Sequence, residues 1–388
     1  MSKNVIGNFA DKVQILTPDD GAHYFFGYYD VPATDMAGLH LCHRVPFMDR
    51  LPTSGDAAEL GYVKDGVFTR IATTTAWNFQ QGAFLQFHPT KKDTVCYNSC
   101  QNGAFCTVTH DLKTGEKFYT DRAAAAISAD GKWGLGINFG RVFAFRPGYG
   151  YADFTDEYAD VNAPDKDGVF LIDMETGQSR LLVAYSDMGE AGFPPEDKIM
   201  VNHINMSPDS KHYVMLVRNF PDPKAERKGW FTSLVLGDLE GNIRTVLSNT
   251  FVSHYRWVND RELIAYCTVE EKTSMFLINM FSGAWQELDT PYFCRRGLAD
   301  IHCNLLPDGK YVIGDGYPID GYRYLIAYNR ETGASKTLLG VKSVTPPIVD
   351  VRCDLHARFS ADGRWITFDT THNDRREIAA IPADVLNF

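Results

Sequence analysis

Nothing in this chain is apolar for long enough to cross a bilayer as a helix, which takes about 18 consecutive apolar residues. Its first residues, Met1-Ser2-Lys3-Asn4-Val5-Ile6-Gly7-Asn8, lack the apolar region of a secretory signal. A cytoplasmic location with no membrane partner is therefore expected. Basic blocks are also missing. Across 388 residues, 38 Lys and Arg face 49 Asp and Glu, for a formal charge of −11. A nucleic-acid partner is not expected, because phosphate backbones are held by clustered Lys and Arg. An acidic substrate stays open wherever Arg and His gather locally. The eight cysteines (42, 96, 100, 106, 267, 294, 303 and 353) are scattered. They read as reduced thiols rather than a disulfide framework. Cys96 and Cys100 have the spacing of half a zinc site, but no second half follows, so they read as buried thiols. No long stretch shows helical periodicity.

Turns are what the chain has in abundance. Ser360-Ala361-Asp362-Gly363 bends the chain, since Asp bonds its own backbone and Gly accepts positive φ. The run after it, Trp365-Ile366-Thr367-Phe368, is aromatic and β-branched and suits a half-buried strand. Similar turns recur, and their second residues fall at 33, 89, 129, 208, 259, 307 and 361. Apart from the interval between 129 and 208, the spacing is close to the ~40–50 residues of a four-stranded propeller blade. A later mark opens on Asp or Asn and closes on Gly, as in Asp111-Leu112-Lys113-Thr114-Gly115 and Asp173-Met174-Glu175-Thr176-Gly177. It reads as a hairpin between outer strands. Hydrophobic residues at 44% supply the core. The expected fold is all-β, a seven-bladed β-propeller over residues 1–388 as one closed domain. Insertion loops are expected around 147–168 and 186–198. A strand around Lys12-Val13-Gln14-Ile15-Leu16 is expected to complete the last blade.

Five residues before the turn anchors stand Phe84, Ala124, His203, His254, His302 and His356. The chain holds only 11 His, and four consecutive units place one at the same offset. If that offset lies on inner strands, the four converge on the channel. Neutral imidazoles there would bind a divalent metal, zinc or manganese, and could leave one free for acid–base work. Alternatively, His is a repeat residue that only bonds its neighbour. Cys353 or Asp354 could add a ligand. In an extended 352–356 segment, Asp354 and His356 share a face and Cys353 points away, while a twisted strand end reverses this. The cluster Ala22-His23-Tyr24-Phe25-Phe26-Gly27-Tyr28-Tyr29-Asp30 could form a sugar-stacking rim, or a blade core. Trp77-Asn78-Phe79-Gln80-Gln81-Gly82 could bond hydroxyls. Arg141, Arg146 and Arg218 are surface ion pairs or partners for a substrate carboxylate.

Taken together, four stretches resemble the propeller-type polysaccharide lyases, namely oligogalacturonate lyases and propeller-type ulvan lyases. They are His23 to Asp30, Trp77 to Gly82, Asn138-Phe139 with Arg146-Pro147-Gly148-Tyr149-Gly150-Tyr151, and Arg352-Cys353-Asp354-Leu355-His356. The resemblance runs over most of the chain. It implies β-elimination on uronic-acid-containing glycans, with an acidic oligosaccharide as partner and a metal held by histidines near the axis. By position it implies His254, His302, His356 and Cys353 as metal ligands and His203 as the base. Where ulvan lyases use histidines of earlier blades, this chain reads Arg122-Ala123-Ala124-Ala125-Ala126. Elimination also needs the carboxylate neutralised and the leaving oxygen protonated. Arg146 or Arg218 is assigned the first task and Tyr149 the second, with His23 a further candidate for proton transfer. The competing classes are a non-catalytic glycan- or protein-binding propeller with a structural metal, and a glycoside hydrolase. A hydrolase would need two carboxylates, for which Asp30 and Asp300 are candidates.

Overall fold

The computed structural model describes residues 4–194, 196–220, 229–288, 300–306 and 308–388. Cys294, and Pro307 of the sixth turn, lie outside the described residues. The strands form seven antiparallel sheets, six of four strands and one of five, arranged as a seven-bladed β-propeller. In numbers, the blades cover 23–74, 86–119, 124–184, 199–250, 252–287, 302–342 and 358–382. The described cysteines are free thiols. No helix among the described residues is long and apolar enough to cross a membrane.

Local chemistry explains the repeat. The recurrent turns join each blade's first strand to its second. In blade 7, Ser360 Oγ donates to Asp362 Oδ1 at 2.6 Å, and Gly363 sits at φ 68°. Ser128 with Asp130 and Ser207 with Asp209 repeat that contact at 2.6 Å. The later mark closes the outer hairpins: Asp111 Oδ1 accepts from the N–H groups of Lys113 and Thr114, and Asp173 from those of Glu175 and Thr176. Apolar residues on both faces of the strands fill the spaces between blades. Val214, Leu216 and Leu234 of blade 4 meet Val252, Leu263 and Ala265 of blade 5. Two N-terminal strands join late blades. Gln14–Ile15 pairs with Glu377–Pro382 as the fourth strand of blade 7. Val5–Ile6 adds a fifth strand to blade 6, a pairing no sequence signal announces.

The long interval in blade 3 holds a helix, Phe139–Phe145, as well as a loop. Asn138 caps the helix by accepting from Arg141 N–H at 2.9 Å. Arg141 is fully buried rather than in a surface ion pair. Its guanidinium donates to Asp156 Oδ2 at 2.9 Å and to the carbonyls of Tyr158, Val161, Asn162 and Ile199 at 2.7–3.2 Å. The Arg146 to Tyr151 loop packs closely on the helix. A Cβ on Gly150 would stand 2.1 Å from Phe143 N, so only glycine fits. Tyr151 stacks on Phe139 with ring centroids 4.2 Å apart. The loop that carries Arg146 and Tyr149 is thus built in.

Arg141→Ala strands the Asp156 carboxylate and leaves several carbonyls unpaired in the interior. A loss of about 3–5 kcal/mol in unfolding free energy is expected, measured by urea titration. A midpoint equal to wild type would show that the aromatic packing alone holds the loop.

Candidate active site

Each inner strand of a propeller has one edge free towards the axis, and the repeat offset falls on that edge. The inner strands shift register at this point, between Ala124 and Ala126, Asn202 and Asn205, and Val252 and His254. Phe84, His203 and His356 also take left-handed backbone, at φ 51°, 44° and 43°. Bulges and left-handed residues re-aim side chains, here into the channel. The four imidazoles therefore meet. Ring centroids are 6.3 Å apart for His203 and His254, 4.1 Å for His254 and His302, and 4.6 Å for His302 and His356.

Tyr29 stands among them, 5.8–6.0 Å from all four rings. Its hydroxyl donates to Tyr255 O at 3.0 Å and accepts from Tyr255 N–H at 3.2 Å, pairing part of blade 5's free edge. Residues 26–30 reach this position from blade 1. Asp369 accepts from the N–H groups of Phe26 and Gly27 at 3.1 and 3.2 Å. Gly27 has φ 119°, and a Cβ there would stand 2.9 Å from Gln81 C. At the far end, Arg256 donates to Asp30 O at 2.6 Å and Asn304 to Tyr29 O at 2.7 Å.

Carboxylates back the imidazoles. His254 Nδ1 is 2.9 Å from Asp300 Oδ1, His302 Nδ1 is 3.4 Å from Asp315 Oδ1, and His203 Nε2 is 3.5 Å from Asp30 Oδ2. Burial lowers the pKa of His203 despite Asp30, so its imidazole is neutral. Burial alone would raise Asp354, but Arg323 and Arg352 hold its carboxyl well below the usual range. Asp315 is the hub of the set. It also accepts from the N–H groups of Leu355 and His356, at 2.9 and 3.1 Å, and so orients two neighbouring histidines.

One donor set fits a cation. His302, Asp354 and His356 offer ligand atoms that all lie within 4.8 Å of one another. Asp354 Oδ2 is 3.9 Å from both His302 Nε2 and His356 Nε2, and two metal bonds of about 2.0–2.2 Å span up to about 4.4 Å. Among the described residues neither imidazole Nε2 has a hydrogen-bond partner, and Asp354 Oδ2 has only the ion pair with Arg352. His356 Nδ1 lies 2.8 Å from Gly27 O, which fixes the proton there and leaves Nε2 bare. His254 stands beside the set, facing Asp300. Cys353 lies outside it. Its sulfur lies 3.8 Å from Asp354 O, and burial pushes the thiol up to about 12. Of the two residues the sequence left open, Asp354 is the one that joins the donor set.

Next to the donor set is a basic layer. Arg352 donates to Tyr149 Oη at 3.0 Å and lies 2.8 Å from Asp354 Oδ2. Arg146 covers the Tyr149 ring at 4.6 Å. Buried Arg218 makes one hydrogen bond, to Val252 O at 3.1 Å, and its Nε has no partner. Burial, then the charge of Arg146, lowers the Arg218 pKa. Tyr28 Oη is 3.4 Å from His203 Nδ1. The structure thus gathers His203, Tyr149, Arg146 and Arg218, but not His23. His23 lies on the outer course of strand His23–Phe25, with Nδ1 3.4 Å from Arg376 N, and none of its described contacts reaches the four histidines. The Trp77 to Gly82 motif also braces the site. Gln80 Nε2 donates to Asp350 O and Arg352 O at 3.3 and 3.0 Å. Tyr28 did carry a signal, since it stands five residues before Ala33, the offset of the histidines. Asp315 carried none.

Fold and site together define a seven-bladed propeller with an axial His/Asp cluster under a layer of arginines. Two solved structures share this architecture along their length. An oligogalacturonate lyase from Vibrio parahaemolyticus matches with 13% identity and a TM-score of 0.63, over 95% of this chain and 93% of that one. An oligogalacturonate lyase in complex with manganese matches with 15% identity and a TM-score of 0.65, over 97% and 94%. The tricorn protease also aligns, with 12% identity and a TM-score of 0.52, over 96% of this chain and 34% of that one. At these identities the likeness is one of fold. No family model matches the chain, and no curated protein matches it in sequence.

Tyr29→Phe removes the hydroxyl and leaves Tyr255's buried N–H and carbonyl unpaired. The expected cost is about 1–3 kcal/mol, read from chemical unfolding. Wild-type stability in this variant would mean the ring, and not its hydroxyl, fixes the axis.

Proposed function

We propose that the protein is a metal-dependent lyase that cleaves uronate-containing oligosaccharides by β-elimination. One observation carries this reading: the neutral imidazole of His203, the partner-poor guanidinium of Arg218 and the donor set of His302, Asp354 and His356 belong to one buried site. A bound divalent cation, zinc or manganese, would supply positive charge to the substrate carboxylate. Arg218 takes that carboxylate and makes the adjacent C–H acidic, with the charge of Arg146 nearby. His203 removes the proton, and Asp30 stabilises the imidazolium that forms. Tyr149 delivers a proton to the leaving glycosidic oxygen, with Arg352 holding its hydroxyl in place. The proton gained by His203 and the one lost by Tyr149 are then exchanged with solvent, His203 having Tyr28 Oη 3.4 Å from its Nδ1. The elimination forms a carbon–carbon double bond, breaks the C–O bond and leaves the enzyme's proton count unchanged after that exchange. The shared fold makes oligogalacturonate the first substrate to test.

The test is ultraviolet absorbance from unsaturated uronate on a panel of acidic oligosaccharides, with metal-replete and chelated protein. New absorbance that needs metal is expected, with a loss of at least about 100-fold in kcat for His203→Ala. Since burial keeps His203 neutral, kcat/KM should hold through the ordinary imidazole range near about 6.5 and fall only at lower pH. Absorbance that survives chelation would leave the cation a structural role. No absorbance on any substrate would shift the assignment to a glycan-binding propeller or a hydrolase.

A further inference from the structure

One large aromatic near the basic layer is unexplained by that chemistry. Trp230 opens the third-strand side of blade 4 and is 47% exposed, an unusual state for the largest apolar side chain. It is not loosely placed. Its ring packs against Phe145 of the blade 3 helix with centroids 5.4 Å apart, and Phe145 in turn meets Phe220 at 4.7 Å. The Arg146 guanidinium lies 5.0 Å from the indole and 4.6 Å from the Tyr149 ring, so it spans the gap between them. Among the described residues, Arg146 meets one carboxylate within ion-pair range, Asp350, at a long 3.4 Å from its Nε. Arg146 thus lies over the indole, between it and Tyr149, and the exposed part of Trp230 stands one contact further out than Tyr149.

That pairing matches one chemistry. A pyranose offers a face of C–H groups that packs on an indole, and a uronate adds a carboxylate at its rim that a guanidinium binds. We propose that Trp230, with Arg146 stacked on it, is a second sugar subsite, which holds the uronate next to the one being cleaved. This rests on the lyase reading of the same site and adds a length requirement. The preferred substrate has consecutive uronates, and an isolated uronate flanked by neutral sugars forfeits the Arg146 contact.

Calorimetry of trigalacturonate binding tests this in the His203→Ala background, where turnover is off, with Trp230→Ala and Trp230→Phe added singly. Trp230→Ala is expected to weaken binding about tenfold, as loss of one well-buried contact would, and Trp230→Phe to recover most of it. Unfolding midpoints of the variants, taken alongside, separate this from damage to the fold. In the otherwise wild-type enzyme, Trp230→Ala should raise KM for trigalacturonate more than it lowers kcat. Equal binding by all three proteins, while the wild type still forms unsaturated product, overturns the subsite and spares the lyase reading. A Trp230-dependent affinity in a protein that forms no such product keeps the subsite and overturns the lyase. No binding of trigalacturonate overturns both.

Discussion

The Tyr29 ring fills the middle of the channel, with its hydroxyl bound to both backbone groups of Tyr255 and four imidazoles around it. Those imidazoles come from four blades, and no hydrogen-bond ladder links one blade's sheet to the next. Residues 26–30 supply the missing link. Their N–H groups are held by Asp369 of blade 7, their side chains touch histidines of blades 4 to 7, and their far end is held by Arg256 and Asn304. Gly27 gives this thread its entry angle and its carbonyl orients His356, so backbone placement and ligand orientation are one problem with one solution.

The charges follow from burial. An isolated buried carboxylate or guanidinium costs far more than a paired one, so the site alternates the two. Asp354 is shared by Arg323 and Arg352, while Asp30, Asp300 and Asp315 each stand against an imidazole. Arg218 breaks the pattern, with one backbone partner and an unpaired Nε. Under the proposed function, that partner-poor guanidinium is where the substrate carboxylate would bind. The loop from Arg146 to Tyr151 adds a further guanidinium, and its position is held by Phe139, Phe143 and Asp350.

Much of this was legible in the chain. Turns rich in Asp and Gly mark blades because their bonds are local, and the offset of His203, His254, His302 and His356 follows from the repeat. What was not legible depends on contacts between distant blades. Whether Cys353 or Asp354 faces the axis turns on backbone path, which composition does not specify. His23 belongs to the same aromatic run as Tyr28 and Tyr29, yet the chain bends at Gly27 and leaves it behind. Arg141 had the appearance of a surface charge, because its partners at 156–162 belong to a loop whose fold is not periodic. Val5–Ile6 is too short a strand to announce itself.

The central claim is that His302, Asp354 and His356 hold a cation and Cys353 does not. Titration of manganese into chelator-stripped protein, followed by calorimetry for the wild type, Cys353→Ser and Asp354→Asn, tests it most directly. The account predicts wild-type affinity in Cys353→Ser and a loss of at least about tenfold in Asp354→Asn, whose unfolding midpoint shows whether the site is otherwise intact. Weakened binding in Cys353→Ser with full affinity in Asp354→Asn would contradict it.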